Sequence, residues 1–352
     1  MPSENKTRPT ESKIRQIDIA KIANVSPPTV SKVLKGEYDY NISVATRKRI
    51  LDVCKKLEYD VAKRIAVKNV FLGLYETDYI TQSYFSTLFS VLNNALSKFN
   101  IDTQVKSTDP KYREEKNNQY ILSNALYQNG VGIIIADQLI SDSEIAKLTN
   151  TDIPIVLFDR QFNHPQIINI IIDNEYAISQ ITEHLINAGH KNIGIMISSK
   201  TWDSHRRMLA GYASALIKNS ITFKESNVFE VGMAHLAIEE DNIKDYQKYL
   251  KELDREILSH KPFPTAIITA QDSMAITLID AAKEKKIKLP GDLVVTGYEN
   301  TVASRISTPP FITTKIPFKK IEKCFAEVFS KLLLQKKFKR RVFTITPDII
   351  YR

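Results

Sequence analysis

The sequence predicts an all-α helix-turn-helix head followed by an α/β body of two doubly wound parallel-sheet lobes. Three observations carry that expectation. Residues 18–34, DIAKIANVSPPTVSKVL, read as two short helices around a tight turn. From Val70 onward, apolar strand-like runs alternate with helical stretches, the pattern of a parallel sheet covered on both faces. The charge is uneven: of a formal net charge of +9, residues 1–68 carry +7 and the rest of the chain +2. A positive field on a small helical head, beside a near-neutral body, suits contact with nucleic acid.

Residues 1–13 are polar, contain Pro2 and Pro9, and are expected to be a disordered tail. The head is placed at 14–59. Ile19, Ala20, Ile22 and Ala23 give its first helix an apolar face. Asn24 falls where the chain must reverse, and Asn tolerates a left-handed backbone. Ser26 is an N-cap for the second helix. Pro27 and Pro28 then occupy positions where a missing N–H does little harm. Val30, Val33 and Leu34 make the buried face. The outer side is left to Pro27, Pro28, Thr29, Ser31, Lys32 and Lys35, a small, partly basic surface suited to a duplex major groove. The prolines cannot hydrogen-bond bases. They either pack on a thymine methyl or only start the helix, and Lys32 carries the polar readout.

A loop with Tyr38 and Tyr40 leads to a third helix, capped by Ser43, with Ile50, Val53, Cys54 and Leu57 inside. Thr46, Arg47, Lys48 and Arg49 crowd its outer first turn, where they either reach phosphates or face solvent. Residues 60–69 form a short linker.

The body reads in two sets. The first contains strand VFLGLY, helix 84–99, strand 103–106, helix 114–128, strand 132–136, helix 142–148 and strand IPIVLFD. The second contains strand NIIID, helix 176–188, strand NIGIMIS, helix 206–217, strand VFEVG, helix 244–258, strand TAIITA, helix 273–285 and strand DLVVTGY. A helix over 320–334 and strands FTITP and IIYR end the sequence. Two similar lobes imply a cleft between them, the usual place for a small ligand.

Several function classes find no support. Cys54 and Cys324 are the only cysteines and have no metal-ligand spacing, so no disulfide framework is expected and a reducing compartment is. The first residues lack an apolar signal region, and no apolar run approaches the ~20 residues that span a bilayer. A cytoplasmic protein without membrane contact is expected. There is no G-x-S-x-G elbow, phosphate-binding glycine loop or HExxH, the six histidines are scattered, and neither a metal nor a cofactor is expected.

Together the head segment, ISVATRKRI with LEY, VLFDR, DNEYAISQITEHLINAGHKNIG, MLAGYASAL, PTAIITAQDSMA, LPGDLVVTGYEN and PPFITTKI resemble the lactose/galactose repressor (LacI/GalR) family of transcription regulators. The resemblance covers about residues 16–352. It implies a periplasmic-binding-protein-like body whose chain crosses between lobes near 166–170, 297–300 and 316–320. On that pattern one lobe is 70–168 plus 299–319, and the other 169–298 plus 320–352. It also implies a homodimer on a palindromic double-stranded DNA operator, controlled by a small effector in the cleft, commonly a sugar or nucleobase, of which a sugar is expected here. The expected function is therefore a regulator, a repressor of a catabolic operon. The competing reading is a cytoplasmic sugar-binding receptor whose head does not read DNA sequence; an enzyme is not expected.

The chain departs from the family pattern in three places, the first being Pro27 and Pro28 at the base-reading start of the second helix. The stretch 59–73 is shorter than the usual hinge and lacks its wedging leucine, leaving Ile65 as the nearest apolar wedge. Met208 stands where many relatives have an arginine. Arg206 and Arg207 either replace it or point to solvent. The remaining cleft candidates are Tyr84 and Phe85, matching the family's aromatic pair unless one of them is core; Trp202, which either stacks on a sugar ring or packs in the core or lobe interface; and Asp159 with Arg160, to meet the ligand or each other. Asp272 either caps a helix or accepts from ligand hydroxyls, and His235 and Glu299 complete the set.

Overall fold

A computed structural model of the chain describes residues 14–35, 42–57, 59, 68–74, 83–107, 130–136, 140–149, 153–231, 243–260, 262–334 and 336–352. The expected helix 114–128, the tyrosine loop, the tail and Ile65 lie outside the described residues.

The head is three helices, α1 Gln16–Ala23, α2 Pro27–Lys35 and α3 Val44–Lys56. Its own small core holds Ile19, Ala20, Ala23, Val30, Val33, Leu34, Ile50, Val53 and Cys54. Asn24 closes α1 in the left-handed conformation, φ 50° and ψ 56°, as the turn requires. Ile22 is 58% exposed and does not join the core. At about 100° per residue, the stripe made by Ile19, Ala20 and Ala23 leaves Ile22 off its edge.

The first half of the body runs β1 Lys68–Leu74, α4 Ser83–Ser97, β2 Ile101–Ser107, β3 Gly130–Ile135, α5 Asp142–Leu148, β4 Ile155–Phe158 and β5 Ile167–Ile172. The second runs α6 Asn174–Asn187, β6 Ile193–Ile197, α7 Asp203–Lys218, β7 Val228–Glu230, α8 Ile243–Leu253, β8 Ala266–Thr269, α9 Asp272–Glu284 and β9 Val294–Thr296. The chain ends with α10 Val302–Ile306, β10 Thr313–Lys315, α11 Phe318–Leu333, β11 Val342–Ile345 and β12 Asp348–Ile350. The helix expected over 244–258 stops at Leu253 and continues as a π turn, Asp254–Leu258.

One sheet has six strands in the order β11-β5-β4-β3-β1-β2, and the other has four, β7-β6-β8-β9. Both are parallel throughout. Alternation splits the strands between the faces of the first sheet. Ile134 and Val156 join the main core, while Ile133, Ile135 and Leu157 pack on the other face with α5 residues Ile145 and Leu148. Strand β5, IINIII, inside the sheet between β11 and β4, is buried at every position, as a strand covered on both faces must be.

Two expected lobe boundaries are corrected. Strand β5 pairs with β4, so the first crossing follows Ile172 rather than falling at 166–170. Strand β11 pairs with β5, Val342 opposite Asn169 and Phe343 opposite Ile170. Helix α11 buries Ile321, Phe325, Val328 and Phe329, an i, i+4, i+7, i+8 stripe, and packs on α4. The segment 318–345 therefore belongs to the first lobe, not the second. Conversely, α10 packs on α9 of the second lobe, so 302–306 does not join the first. Strands β10 and β12, an antiparallel pair, lie where the chain passes between lobes.

The glycine of MLAGY has a packing cause. Helix α7 lies so close to α6 that a Cβ on Gly211 would fall 2.1 Å from the Glu175 carbonyl oxygen. Among the described residues no helix is long and apolar enough to cross a membrane.

Candidate nucleic-acid interface and effector cleft

In the head, the Ser26 side-chain oxygen accepts from the Thr29 N–H at 3.3 Å, and the Ser43 oxygen from the Thr46 N–H at 3.2 Å. Each serine hydroxyl also meets the following threonine hydroxyl, at 2.8 and 2.9 Å. Both serines act as helix caps, which leaves them poorly placed to bond DNA as well. Pro27, Pro28 and Lys32 are exposed, with Thr29 and Ser31 half-buried beside them, while Val30, Val33 and Leu34 are buried. The outer face of α2 is thus the small, partly basic surface expected. Thr46 is half-buried and Arg49 exposed. The side chains of Lys35 and Arg47 lie outside the described residues.

Between the lobes lies a cavity of about 680 Å³. Its walls come from strand ends and helix starts: Tyr84 and Phe85 on α4, Asp159 after β4, Trp202 before α7, Ala270 and Gln271 after β8, and Tyr298 and Glu299 after β9. Parallel sheets place ligand sites at such strand ends. Tyr84 and Phe85 meet edge to face at 5.2 Å, and Trp202 stacks on His205 at 4.9 Å. Ser204, Met208, Tyr246 and Ile276 complete a largely apolar wall.

A polar network runs behind that wall. Arg207 donates to Asp159, to its Oδ1 at 2.9 Å and its carbonyl at 3.0 Å, and also pairs with Asp203. The Asp203 carboxylate in turn accepts the Gln161 N–H at 3.0 Å. Asn174 donates to Asp159 Oδ1 at 3.2 Å and accepts from the Tyr298 hydroxyl at 2.5 Å. These bonds join a strand end of the first lobe to helix starts of the second. Burial pushes Asp159 up to about 6, against the pull of the Arg207 charge. Burial likewise holds the Tyr84 and Tyr298 phenols protonated, well above their usual range.

Glu299 differs from Asp159. It holds φ at 110°, a conformation that L side chains rarely adopt, fixed by its N–H donating to the Thr314 carbonyl at 3.0 Å. Burial, with the Asp272 charge adding to it, pushes its carboxyl up to about 8.

The expected residues therefore divide. Tyr84, Phe85, Asp159, Trp202 and Glu299 come together on the cavity wall. Arg207 stands behind them as the counter-ion of Asp159. Arg160 neither meets the ligand space nor pairs with Asp159: it turns to the Ile140 carbonyl and to Asp142, at 2.6 Å. Arg206 faces solvent, bonded to the Thr201 carbonyl and Asp203. Asp272 is 0% exposed and off the wall. It caps no turn of its own helix; instead it accepts from the Thr313 hydroxyl and the Thr301 N–H, both at 2.6 Å. Gly297 makes room for it, because a Cβ there would fall 2.3 Å from Asp272 Oδ1. His235 lies outside the described residues. Sequence reasoning missed Asn174, Tyr298 and Tyr246. Tyr298 and Asn174 stand within quoted motifs, but nothing in their spacing marks them as partners. Among the described residues no cluster is placed to hold a metal ion.

Comparison with known proteins decides what this two-part architecture is. Residues 17–61 match the bacterial regulatory proteins of the lacI family, and residues 182–352 match the periplasmic binding protein-like domain. The chain belongs to the LacI family. It is 28% identical to the "Probable HTH-type transcriptional repressor ExuR" of Bacillus subtilis strain 168, over 95% of this chain and 96% of that one. It is 26% identical to catabolite control protein A of Priestia megaterium, over 85% and 86%. Its fold matches the transcriptional regulator CelR–cellobiose complex with a TM-score of 0.68 at 19% identity, covering 98% of this chain and 99% of that one. This LacI-family chain is a DNA-binding transcriptional regulator and not an enzyme.

Proposed function

We propose that this LacI-family regulator is a repressor of a catabolic operon, released or engaged by a small molecule, a sugar, bound between its lobes. It acts as a homodimer, two heads reading the half-sites of a palindromic operator. The observation that carries this reading is the cavity, with aromatic and carboxylate groups on strand ends, in a chain that also presents an exposed, capped α2. Aromatic faces stack on the C–H side of a sugar ring, and carboxylates accept from its hydroxyls. Tyr84, Phe85, Trp202, Asp159 and Glu299 contact the effector, and Arg207 positions Asp159. On α2, Pro27, Pro28, Thr29, Ser31 and Lys32 face the major groove. Because Asp159 and Arg207 join the two lobes, a ligand on Asp159 bears on how the lobes close.

The test is a selection of genomic fragments by the purified full-length protein near physiological salt, with and without a mixture of sugars. An enriched inverted repeat whose recovery changes with the mixture supports the reading. No enrichment in either condition, from a folded dimer, favours the receptor whose head does not read DNA sequence.

A further inference from the structure

We infer that the cleft is charge-selective: it takes a hydroxylated ligand that is uncharged or bears an amine, offered to Glu299, and rejects the carboxylate and phosphate forms. This rests on the reading of the cavity as the effector site.

The wall is the first ground. Among the described residues that line the cavity there is no lysine or arginine, while two carboxylates, Asp159 and Glu299, are present. Met208, 4% exposed, fills wall space that a cation would need to receive an anion. The second ground is that the nearby guanidinium groups are committed elsewhere. Arg207 is held between Asp159 and Asp203, and Arg160 is held by Asp142 and the Ile140 carbonyl. Freeing Arg207 would leave the largely covered Asp159 and Asp203 carboxylates without their counter-ion, while Arg160 is turned away from the cavity wall.

The third ground is Glu299 itself. Asp159 has Arg207, but the Glu299 carboxyl has no hydrogen-bond partner among the described residues. A carboxyl held at the cavity wall by a left-handed backbone, without a donor, is matched by a donor on the ligand. A protonated amine supplies both donor and charge, and the rings of Tyr84, Trp202 and Tyr246 give a cation further faces to sit against. A phosphate or carboxylate would meet no cation, and its charge would oppose ionisation of both Asp159 and Glu299. The groups that bear on Glu299 are Asp272, Tyr84 and Tyr298; of the cations nearby, Lys315 bridges it through backbone and is exposed, and Arg352 is held by Asn300 and the Ser304 carbonyl, so neither lines the cavity. The raised ionisation range of Glu299 agrees: the group stands without a counter-ion until a cationic donor arrives.

The experiment is calorimetric and thermal-shift titration of the full chain with a panel of common hexoses and pentoses. Each is supplied as the neutral sugar, its amino-deoxy form, its uronic acid and its terminal phosphate. Within any scaffold that binds, the amine form is expected to bind at least as tightly as the neutral sugar, and the two anionic forms at least tenfold more weakly. The amine form should tighten between pH 6 and 8 as Glu299 ionises, with proton release on binding below pH 8. Glu299→Gln should remove the amine preference, so that the amine form no longer outbinds its neutral parent and its affinity no longer rises between pH 6 and 8. The ranking of the four forms by the unaltered protein stands even if that variant does not fold. An anionic form binding as tightly as its neutral parent overturns the inference while leaving the effector reading intact. A panel in which nothing binds counts against the effector reading and, with it, this inference.

Discussion

In the head, the polar side chains that shape the fold bond within three residues of themselves: Asp18 to Arg15, Ser26 to Thr29, Ser43 to Thr46. In the cleft the partners are far apart along the chain. Arg207 and Asp159 are 48 residues apart, Asp272 and Thr313 are 41, and Tyr298 and Asn174 are 124. Local pairs are set by helix geometry and follow from spacing alone. Distant pairs exist only once two sheets and their crossings are in place. The head is therefore tolerant of what happens in the body, whereas each cleft side chain is conditioned by the closure of two lobes.

Arg207→Ala is the strongest way to break this comparison. It leaves Asp159 buried without its counter-ion and should cost about 3–5 kcal/mol in urea unfolding, whereas Arg206→Ala, at the solvent face, should cost under about 0.5 kcal/mol. Equal effects would mean that the interlobe pair is not what holds the cleft. Lys32→Ala should weaken operator binding by about 1–3 kcal/mol in a fluorescence titration and leave body stability unchanged. Ser26→Ala should cost about 1 kcal/mol of α2 protection in hydrogen exchange of the full chain, without altering exchange around the cavity. Propagation into the cavity would erase the distinction between the two regions.

A pH slope separates the two regions as well. Folding raises the Glu299 carboxyl from 4.5 to about 8, so the folded chain binds its proton more tightly than the unfolded chain does. That contribution is full below about pH 4.5 and is lost as the pH rises through about 8. Melting temperature should therefore fall between pH 6 and pH 8 in the unaltered protein, and fall less in Glu299→Gln. Asp159 adds a slope of the same sign at lower pH, between about 3.8 and about 6.

The same contrast accounts for what could be read from the sequence. The capped α2, the left-handed Asn24 and the buried triplet Val30, Val33 and Leu34 all follow from local pattern. So does the alternation of strands and helices, whereas the aromatic pair on α4 rests on the family resemblance. The assignment of β5 and 318–345 to the first lobe does not, because an apolar strand run states that it pairs but not with which neighbour. Short elements such as α10 and β10 carry too few residues for a periodic signal. At the start of a helix beyond a strand end, Asp272 reads from the sequence as a cap or a ligand acceptor. Its true partners, Thr301 and Thr313, arrive from the crossing segments. The three consecutive residues Met208, Arg207 and Arg206 show how one turn separates fates: wall, interlobe pair and solvent.

The central claim is that the head reads DNA under the control of the cleft. Its most direct test is the affinity of the full-length protein for its selected operator, measured with and without the panel compound that most stabilises it. A change of several-fold is predicted, with operator DNA changing the affinity for that compound by the same factor, since such coupling is reciprocal. An operator affinity that does not move while the compound is bound would contradict the account.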